Sequence, residues 1–226
     1  MSDYSEKWYS QYANRYAEVS HQFLQSIYID SSHPKLTSDL DLLEHLKALV
    51  TGRYGLDAGC GAGARDVYNL WLDGYDMIGI DAVKENVNVA IKLHPEIEDR
   101  LSVTDLTKRL PFTDSSFDFV LCNAVIQHID PNIVKKVVLP ELCRVLKSGG
   151  ILQLMFKKGN GVLTVTDQDY NCDRSFQLYD EKEILKHLQD LCMKLVECEK
   201  EDQLGGVMFF TDVKPTLHCV FYAKKQ

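Results

Sequence analysis

Apolar positions along this chain change their period several times, and each change marks an element. Trp8, Tyr12, Tyr16, Val19, Phe23 and Ile27 recur at spacings of three and four, which predicts a helix over the first 30 residues. His33-Pro34 is expected to break it. Ser38 stands three residues before Asp41 and starts a second helix, carried by Leu42, Leu43, Leu46, Leu49 and Val50 and ended by Gly52. Short apolar runs then alternate with helical patterns. Strands are predicted at Tyr54–Ala58, Asp76–Ile80, Leu101–Thr104, Phe117–Cys122 and Ile151–Phe156. Between them lie helices at Arg65–Leu72, around Val87–Leu93 before Pro95, and from Pro131 to about Leu146. Gly149-Gly150 reads as a tight turn before the fifth strand. Strands alternating with helices imply a parallel sheet covered on both faces.

The tail follows another pattern. Asp180 and Glu183 start a helix holding Ile184, Leu185, Leu188 and Leu191. Leu195–Cys198 and Leu217–Ala223 follow with no helix between them, so they are expected to pair as an antiparallel hairpin. The segment 157–176 is long and polar and reads as a substrate loop. No repeat or linker interrupts the chain. Residues 1–226 are read as one domain: a helical lid over 1–36, a core over 37–156, and the loop, last helix and hairpin over 157–226.

Composition narrows the function. The 226 residues are 45% apolar and 26% charged, with a formal net charge of −8. That balance disfavours a nucleic-acid partner, since phosphate binding calls for a basic surplus. The pairs Lys135-Lys136 and Lys157-Lys158 read as solvated surface. No apolar run approaches the roughly 20 residues that span a bilayer. The start, Met1-Ser2-Asp3-Tyr4-Ser5-Glu6-Lys7, lacks a signal-peptide pattern, and a cytoplasmic setting is expected. Cys60, Cys122, Cys143, Cys172, Cys192, Cys198 and Cys219 include no Cys-x-x-Cys pair. They read mostly as small core residues in a reducing compartment, and no metal site is expected.

Candidate chemistry gathers where strands end. Gly55–Gly63 reads Gly-Leu-Asp-Ala-Gly-Cys-Gly-Ala-Gly, a glycine loop between a strand and a helix. Its glycines alone also fit a dinucleotide fingerprint through Gly59, Gly61 and Ala64. Asp81, ending the second strand, suits a ribose in either case, because a carboxylate accepts two hydroxyl protons. Asp57 separates the readings: it would repel a pyrophosphate and suits an ammonium. Asp105 follows the third strand and is placed to accept from an adenine amino group. The alternatives are helix caps for Asp57 and Asp81 and turn residues for Asp105 and Asn123.

Five segments in order carry a resemblance. Gly55–Gly63, Ile78–Asp81, Thr104–Leu106, Phe117–His128 and Glu141–Gly150 are similar to the successive motifs of class I S-adenosylmethionine-dependent methyltransferases. The resemblance implies an α/β fold with a doubly wound, mostly parallel seven-stranded sheet whose last strand is antiparallel. It implies S-adenosyl-L-methionine as cofactor and S-adenosyl-L-homocysteine as product. Carried onto this chain, the cofactor residues are Asp57, Gly59, Cys60, Gly61, Gly63, Asp81, Ala82, Asp105, Leu106 and Asn123.

The acceptor is less legible. A sulfonium methyl needs orientation more than a base. His128 is the candidate base, with a packed histidine as the alternative. Asp167 and Asp169 are candidates for a base or a cation site, with a solvated acidic loop as the alternative. A small-molecule oxygen or nitrogen is the expected acceptor. His128 with this acidic segment is also similar to protein α-N-terminal methyltransferases, which keeps a protein substrate open. A non-catalytic cofactor-binding subunit and a nicotinamide-dependent dehydrogenase are the competing classes.

Overall fold

The computed structural model describes residues 3–24, 27–198, 203–212 and 216–226, with the side chains of 3–6 and 21–24 left aside. Phe23 of the expected apolar stripe therefore lies outside the described side chains.

Helix α1 (Asp3–Leu24) opens the chain, followed by a short strand β1 (Asp30–Ser31) and α2 (Asp39–Leu49). The first helix is shorter than expected. By Tyr28 the backbone has turned extended, its N–H donating to the Thr37 carbonyl, and Ile27 is exposed. Ser38 caps α2 as predicted: the Asp41 carboxylate accepts from the backbone N–H of Ser38 at 2.9 Å and of Thr37 at 2.7 Å.

The core alternates as the sequence implies. It runs β2 (Tyr54–Ala58), α3 (Arg65–Leu72), β3 (Asp76–Asp81), α4 (Lys84–Leu93), β4 (Leu101–Val103) and β5 (Phe117–Asn123). Then come α5 (Pro131–Ile133), a π turn (Val134–Val138), α6 (Leu139–Val145) and β6 (Leu146–Lys157). The widened turn has a cause in Pro140, which has no N–H to give and crowds the preceding turn, so the helix loosens before passing it. Gly149-Gly150 is not a turn before the strand but a bulge inside β6. The register jumps from Phe117 opposite Leu146 to Phe119 opposite Ile151.

Segment 157–176 is corrected. It is not a loop but the first part of a hairpin, β7 (Val162–Asp167) against β8 (Cys172–Gln177). Its outer face is polar: the hydroxyls of Thr164 and Ser175 meet at 2.8 Å and Thr166 donates to Asp173 at 2.7 Å. Helix α7 (Glu181–Asp190) follows, then β9 (Met193–Leu195), β10 (Met208–Thr211) and β11 (Leu217–Lys225). The terminal hairpin is real, but its first strand is Met208–Thr211 rather than Leu195–Cys198. The predicted strand shifts to Met193–Leu195 and pairs with the far end of β11.

The sheet order is β1-β10-β11-β6-β5-β2-β3-β4, with β9 also on β11. The five strands β2 to β6 are parallel, and β11 runs antiparallel to β6. The expected seven strands are present, and the short β1 and β9 are additions. Period-two alternation splits the core between the faces. Val120, Cys122, Cys219 and Phe221 pack on one side, and Phe119, Leu121, Val220 and Tyr222 on the other. Cys122, Cys143 and Cys219 are core residues, whereas Cys192 and Cys198 are exposed. Among the described residues no helix is long and apolar enough to cross a membrane.

Asp180 caps α7, accepting from the N–H of Lys182 at 2.9 Å and of Glu183 at 3.2 Å. Asp180→Ala is expected to cost about 1 kcal/mol, read as a lower urea midpoint at unchanged slope.

Candidate functional site

Strand order reverses at β2, whose neighbours β3 and β5 lead outward in opposite directions. Doubly wound sheets open a crevice at such a switch point, at the carboxyl ends of the strands. The glycine loop leaves β2 there. Gly59 and Gly61 have φ of +107° and +67°, conformations that side chains resist. A Cβ on Gly59 would stand 2.3 Å from Val125, and one on Gly61 2.9 Å from the Tyr16 ring. Helix α1 thus lies directly over the loop, and a Cβ on Gly63 would meet Ser20 of the same helix at 2.9 Å.

Two cavities that share lining residues lie beneath α1. The smaller is lined by Asp81, Ala82, Asn86, Asp105, Leu106 and His128, among others. Asp81 accepts from the N–H of Gly61 at 3.0 Å, the N–H of Val83 at 2.8 Å and the Asn86 amide at 3.2 Å. Burial pushes its carboxyl up, and these three donors pull against that. Asp105 accepts from the backbone and hydroxyl of Thr107 at 2.9 and 2.7 Å. Burial raises its carboxyl, but the Thr107 bonds outweigh burial and leave it below the ordinary value. Asn86 escaped the sequence reading. Its side-chain oxygen is buried without a hydrogen-bond partner among the described residues. Its position in the first turn of α4, beside Asp81, was the available signal.

The larger cavity, of about 190 Å³, takes in Asp57, Gly59, Cys60, Asn123 and Ala124 at the β2 end. Tyr9, Tyr16, Gly59, Asn123 and Ala124 border both cavities. Asp57 is buried. Burial first, then the neighbouring Asp66 charge, hold its carboxyl well above the ordinary range, with Arg65 opposing. Asp66 pairs with Arg65 at 2.8 Å and accepts from the Asn123 amide at 3.3 Å. Asn123 in turn accepts from Gln153 at 3.1 Å, which fixes its orientation. Burial also pushes the Cys60 thiol well up, so it stays protonated.

The far wall comes from β6, the β7–β8 hairpin and β11: Lys157, Arg174, Phe176 and His218 line it. Arg174 donates to Asp167 at 3.0 Å and to the Tyr9 hydroxyl at 2.8 Å. Its guanidinium lies 4.0 Å from the Trp8 ring centroid. Lys157, expected on the surface, is buried instead. Its ammonium donates to the Thr216 hydroxyl at 2.7 Å and contacts His218 Nε2 at 3.0 Å. The sheet explains this: β11 arrives beside β6 and covers it.

The expected catalytic residues fare differently. His128 Nε2 stands 3.0 Å from the Tyr9 hydroxyl. That hydroxyl accepts from Arg174 at 2.8 Å and is also hydrogen-bonded to the His128 ring. Burial, then the Arg174 and Lys157 charges, hold His128 well below its ordinary value and neutral. An imidazole so depressed is a weak base. Asp167 and Asp169 border neither cavity. Asp167 is buried as the partner of Arg174, and the Asp169 backbone carbonyl accepts from Arg15 at 3.3 Å. Among the described residues no group of three or more His, Cys, Asp and Glu side chains is gathered as a metal site. Tyr9 and Arg174, from opposite ends of the chain, are the side chains that the expected site lacked.

Comparison with known proteins adds a lineage to this geometry. A family model described as a methyltransferase domain matches residues 56–154. Phosphoethanolamine N-methyltransferase 2 of Caenorhabditis elegans is 32% identical over 152 residues, covering 65% of this chain and 33% of that protein. A ubiquinone biosynthesis O-methyltransferase of Rickettsia bellii is 30% identical over 88 residues, covering 36% of each. The chain thus spans about a third of the length of these curated relatives. Among solved structures, the Burkholderia thailandensis 1,6-didemethyltoxoflavin-N1-methyltransferase, bound to its substrate and S-adenosylhomocysteine, superposes with a TM-score of 0.65. It is 16% identical, with 99% of this chain and 89% of that one covered, and shares the fold.

Proposed function

We propose that the chain is a class I S-adenosylmethionine-dependent methyltransferase that methylates an oxygen or nitrogen of a small molecule held in the larger cavity. The observation that carries the reading is the wall that the two cavities share. Gly59, Asn123 and Ala124 border both, under Tyr9 and Tyr16. An acceptor seated beyond them faces the donor's reactive end while α1 excludes water. The relatives named for N-methylation and for O-methylation support these two acceptor atoms.

The residues fit the cofactor. Asp81 is placed for the ribose hydroxyls, with the unpartnered Asn86 oxygen beside it as a further acceptor. Asp105 and Leu106 flank the adenine position, and Ala82 follows Asp81 along the same wall. Asp57, with Asp66 and Asn123 behind it, suits the methionine ammonium, and the backbone of Gly59, Cys60, Gly61 and Gly63 forms the floor. When bound, S-adenosylmethionine would supply a methyl group activated by its sulfonium for transfer to an acceptor lone pair. The protein's part is to orient the two partners and keep the cavity dry. Tyr9, fixed by Arg174 and His128, is the hydroxyl placed to orient the acceptor. Residues 1–36 serve as the lid of a single domain.

A protein α-amino group is the alternative acceptor. The test is methyl transfer from radiolabelled S-adenosylmethionine into an extract divided into small-molecule, protein and RNA fractions. Label in small molecules supports the reading, and label confined to protein or RNA refutes it.

Asp57 gives a second expectation. Its carboxyl is held up in the free protein, and an ammonium beside it favours the ionised form. Cofactor binding therefore releases a proton, and affinity falls as pH drops through the raised value. Calorimetry in two buffers of different ionisation heat should give different apparent enthalpies over the pH range in which the free carboxyl is protonated. Asp57→Asn should abolish the difference. Buffer-independent heat at every pH at which the cofactor binds would remove the ammonium role.

A further inference from the structure

Tyr9, Tyr16, Gly59, Asn123 and Ala124 form the wall that both cavities share. The acids that fit the cofactor fall on its two sides: Asp81 and Asp105 border the smaller cavity alone, and Asp57 the larger alone. In S-adenosylmethionine the sulfur is bonded between the ribose arm and the amino-acid arm. A donor held at Asp81 by its ribose and at Asp57 by its ammonium therefore carries its sulfonium past the shared wall. A sulfonium is a cation with no N–H or O–H to donate, so hydrogen-bond acceptors cannot single it out. An aromatic ring can, because its quadrupole attracts a cation.

Two rings stand in that wall, both on α1. Tyr9 is already engaged. Its ring packs edge-to-face with Trp8, Tyr16 and His128, and the Arg174 guanidinium lies 5.6 Å from its centroid. Its hydroxyl is bonded to Arg174 and His128. Tyr16 is the freer of the two. Among the described residues its one ring neighbour is Tyr9, with centroids 5.0 Å apart and planes at 77°, and its hydroxyl has no hydrogen-bond partner. Its place is fixed by the loop. A Cβ on Gly61 would stand 2.9 Å from the Tyr16 ring, so a glycine there is what lets α1 bring this ring down onto the turn.

Resting on the cofactor placement above, we propose that Tyr16 contacts the donor's sulfonium and favours the charged donor over neutral S-adenosylhomocysteine. The contact ties α1 to the charge on the cofactor. While the charge is present, the ring and the helix that carries it are held on the glycine loop. In the neutral product that hold is lost. One side chain thereby links closure of the site to the loaded cofactor and its opening to the spent one.

The test is calorimetry of both ligands on the full chain and on Tyr16→Leu. The ratio of dissociation constants, S-adenosylmethionine over S-adenosylhomocysteine, should rise about fivefold or more in the variant. Tyr16→Phe keeps the ring and should hold the ratio within about twofold of wild type. A residue that only packs on Gly61 would weaken both ligands together and leave the ratio unchanged, and that result overturns the proposal, as does unchanged affinity for both. If Tyr16→Leu does not fold, backbone amide exchange across α1 of the wild-type chain decides the matter. Slower exchange under saturating S-adenosylmethionine than under S-adenosylhomocysteine is expected, and equal protection refutes the contact. Binding of neither ligand to the wild-type chain would remove the cofactor placement itself, a failure distinct from that of Tyr16.

Discussion

Asp81→Ala is expected to weaken S-adenosylmethionine binding by about a hundredfold or more. Two losses add. The carboxylate is placed to accept both ribose hydroxyls, and hydrogen bonds to a charged group are worth about 1.5–3 kcal/mol each. It also holds the loop: Gly61 and Val83 donate to it through buried backbone N–H groups, and Asn86 through its amide. Without Asp81 these donors lose their acceptor, and Gly61, at φ +67°, is no longer pinned in the turn the loop requires. Asp81→Asn keeps the shape and one carbonyl oxygen, so it should fall between wild type and alanine. Calorimetry gives the affinity, and urea unfolding of the cofactor-free variants separates lost loop stability from lost ribose contacts. Unchanged affinity in Asp81→Ala would sink the ribose assignment and the placement of the adenosine in the smaller cavity.

The residues proposed for the cofactor are readable in the sequence because they are local. Asp57, the glycines and Asp81 lie at strand ends, and buried parallel strands announce themselves as short apolar runs. Asn86 was within reach of the same reasoning, five residues past Asp81, but helix polarity hid it as ordinary surface. The far wall of the larger cavity was not legible, because it is assembled across the chain. Tyr9 meets His128 and Arg174 over separations of 119 and 165 residues, and Lys157 meets His218 over 61. Nothing near Lys157 in sequence reports that β11 will cover it. The β7–β8 hairpin failed to read as strands for a physical reason. Its exposed face is built of Thr, Ser and Asp that pair across the strands, so polarity masks the period of two. The acids of that hairpin looked like free chemistry, whereas Asp167 serves Arg174. The antiparallel pairing expected at the tail exists where Leu195 lies opposite Ala223, but the hairpin partner of β11 is Met208–Thr211, which the sequence reading did not offer as a strand.

The same hairpin carries the larger stability expectation. Asp167→Ala should destabilise the protein by about 3–5 kcal/mol, the usual cost of removing one partner of a buried ion pair. The Asp167 side chain is 1% exposed and Arg174 11%, so water cannot replace the lost carboxylate. Arg174 would keep its stacking on Trp8, Tyr9, Tyr170 and Phe176, which offsets part of the loss. Asp167 also accepts from the Asp169 backbone N–H at 3.2 Å, which shapes the turn between β7 and β8. The double variant Asp167→Asn/Arg174→Gln should be less destabilised than the sum of its single changes, because no uncompensated charge remains. Urea unfolding at pH 7 measures both, with a lower midpoint at constant slope. A single-variant loss below about 1 kcal/mol would mean that Arg174 is solvated, like a surface pair. Because Arg174 also holds the Tyr9 hydroxyl, loosening it frees α1 from the cavity it covers. Asp167→Ala should therefore raise KM for the acceptor as well, although Asp167 touches neither the cofactor site nor the cavity.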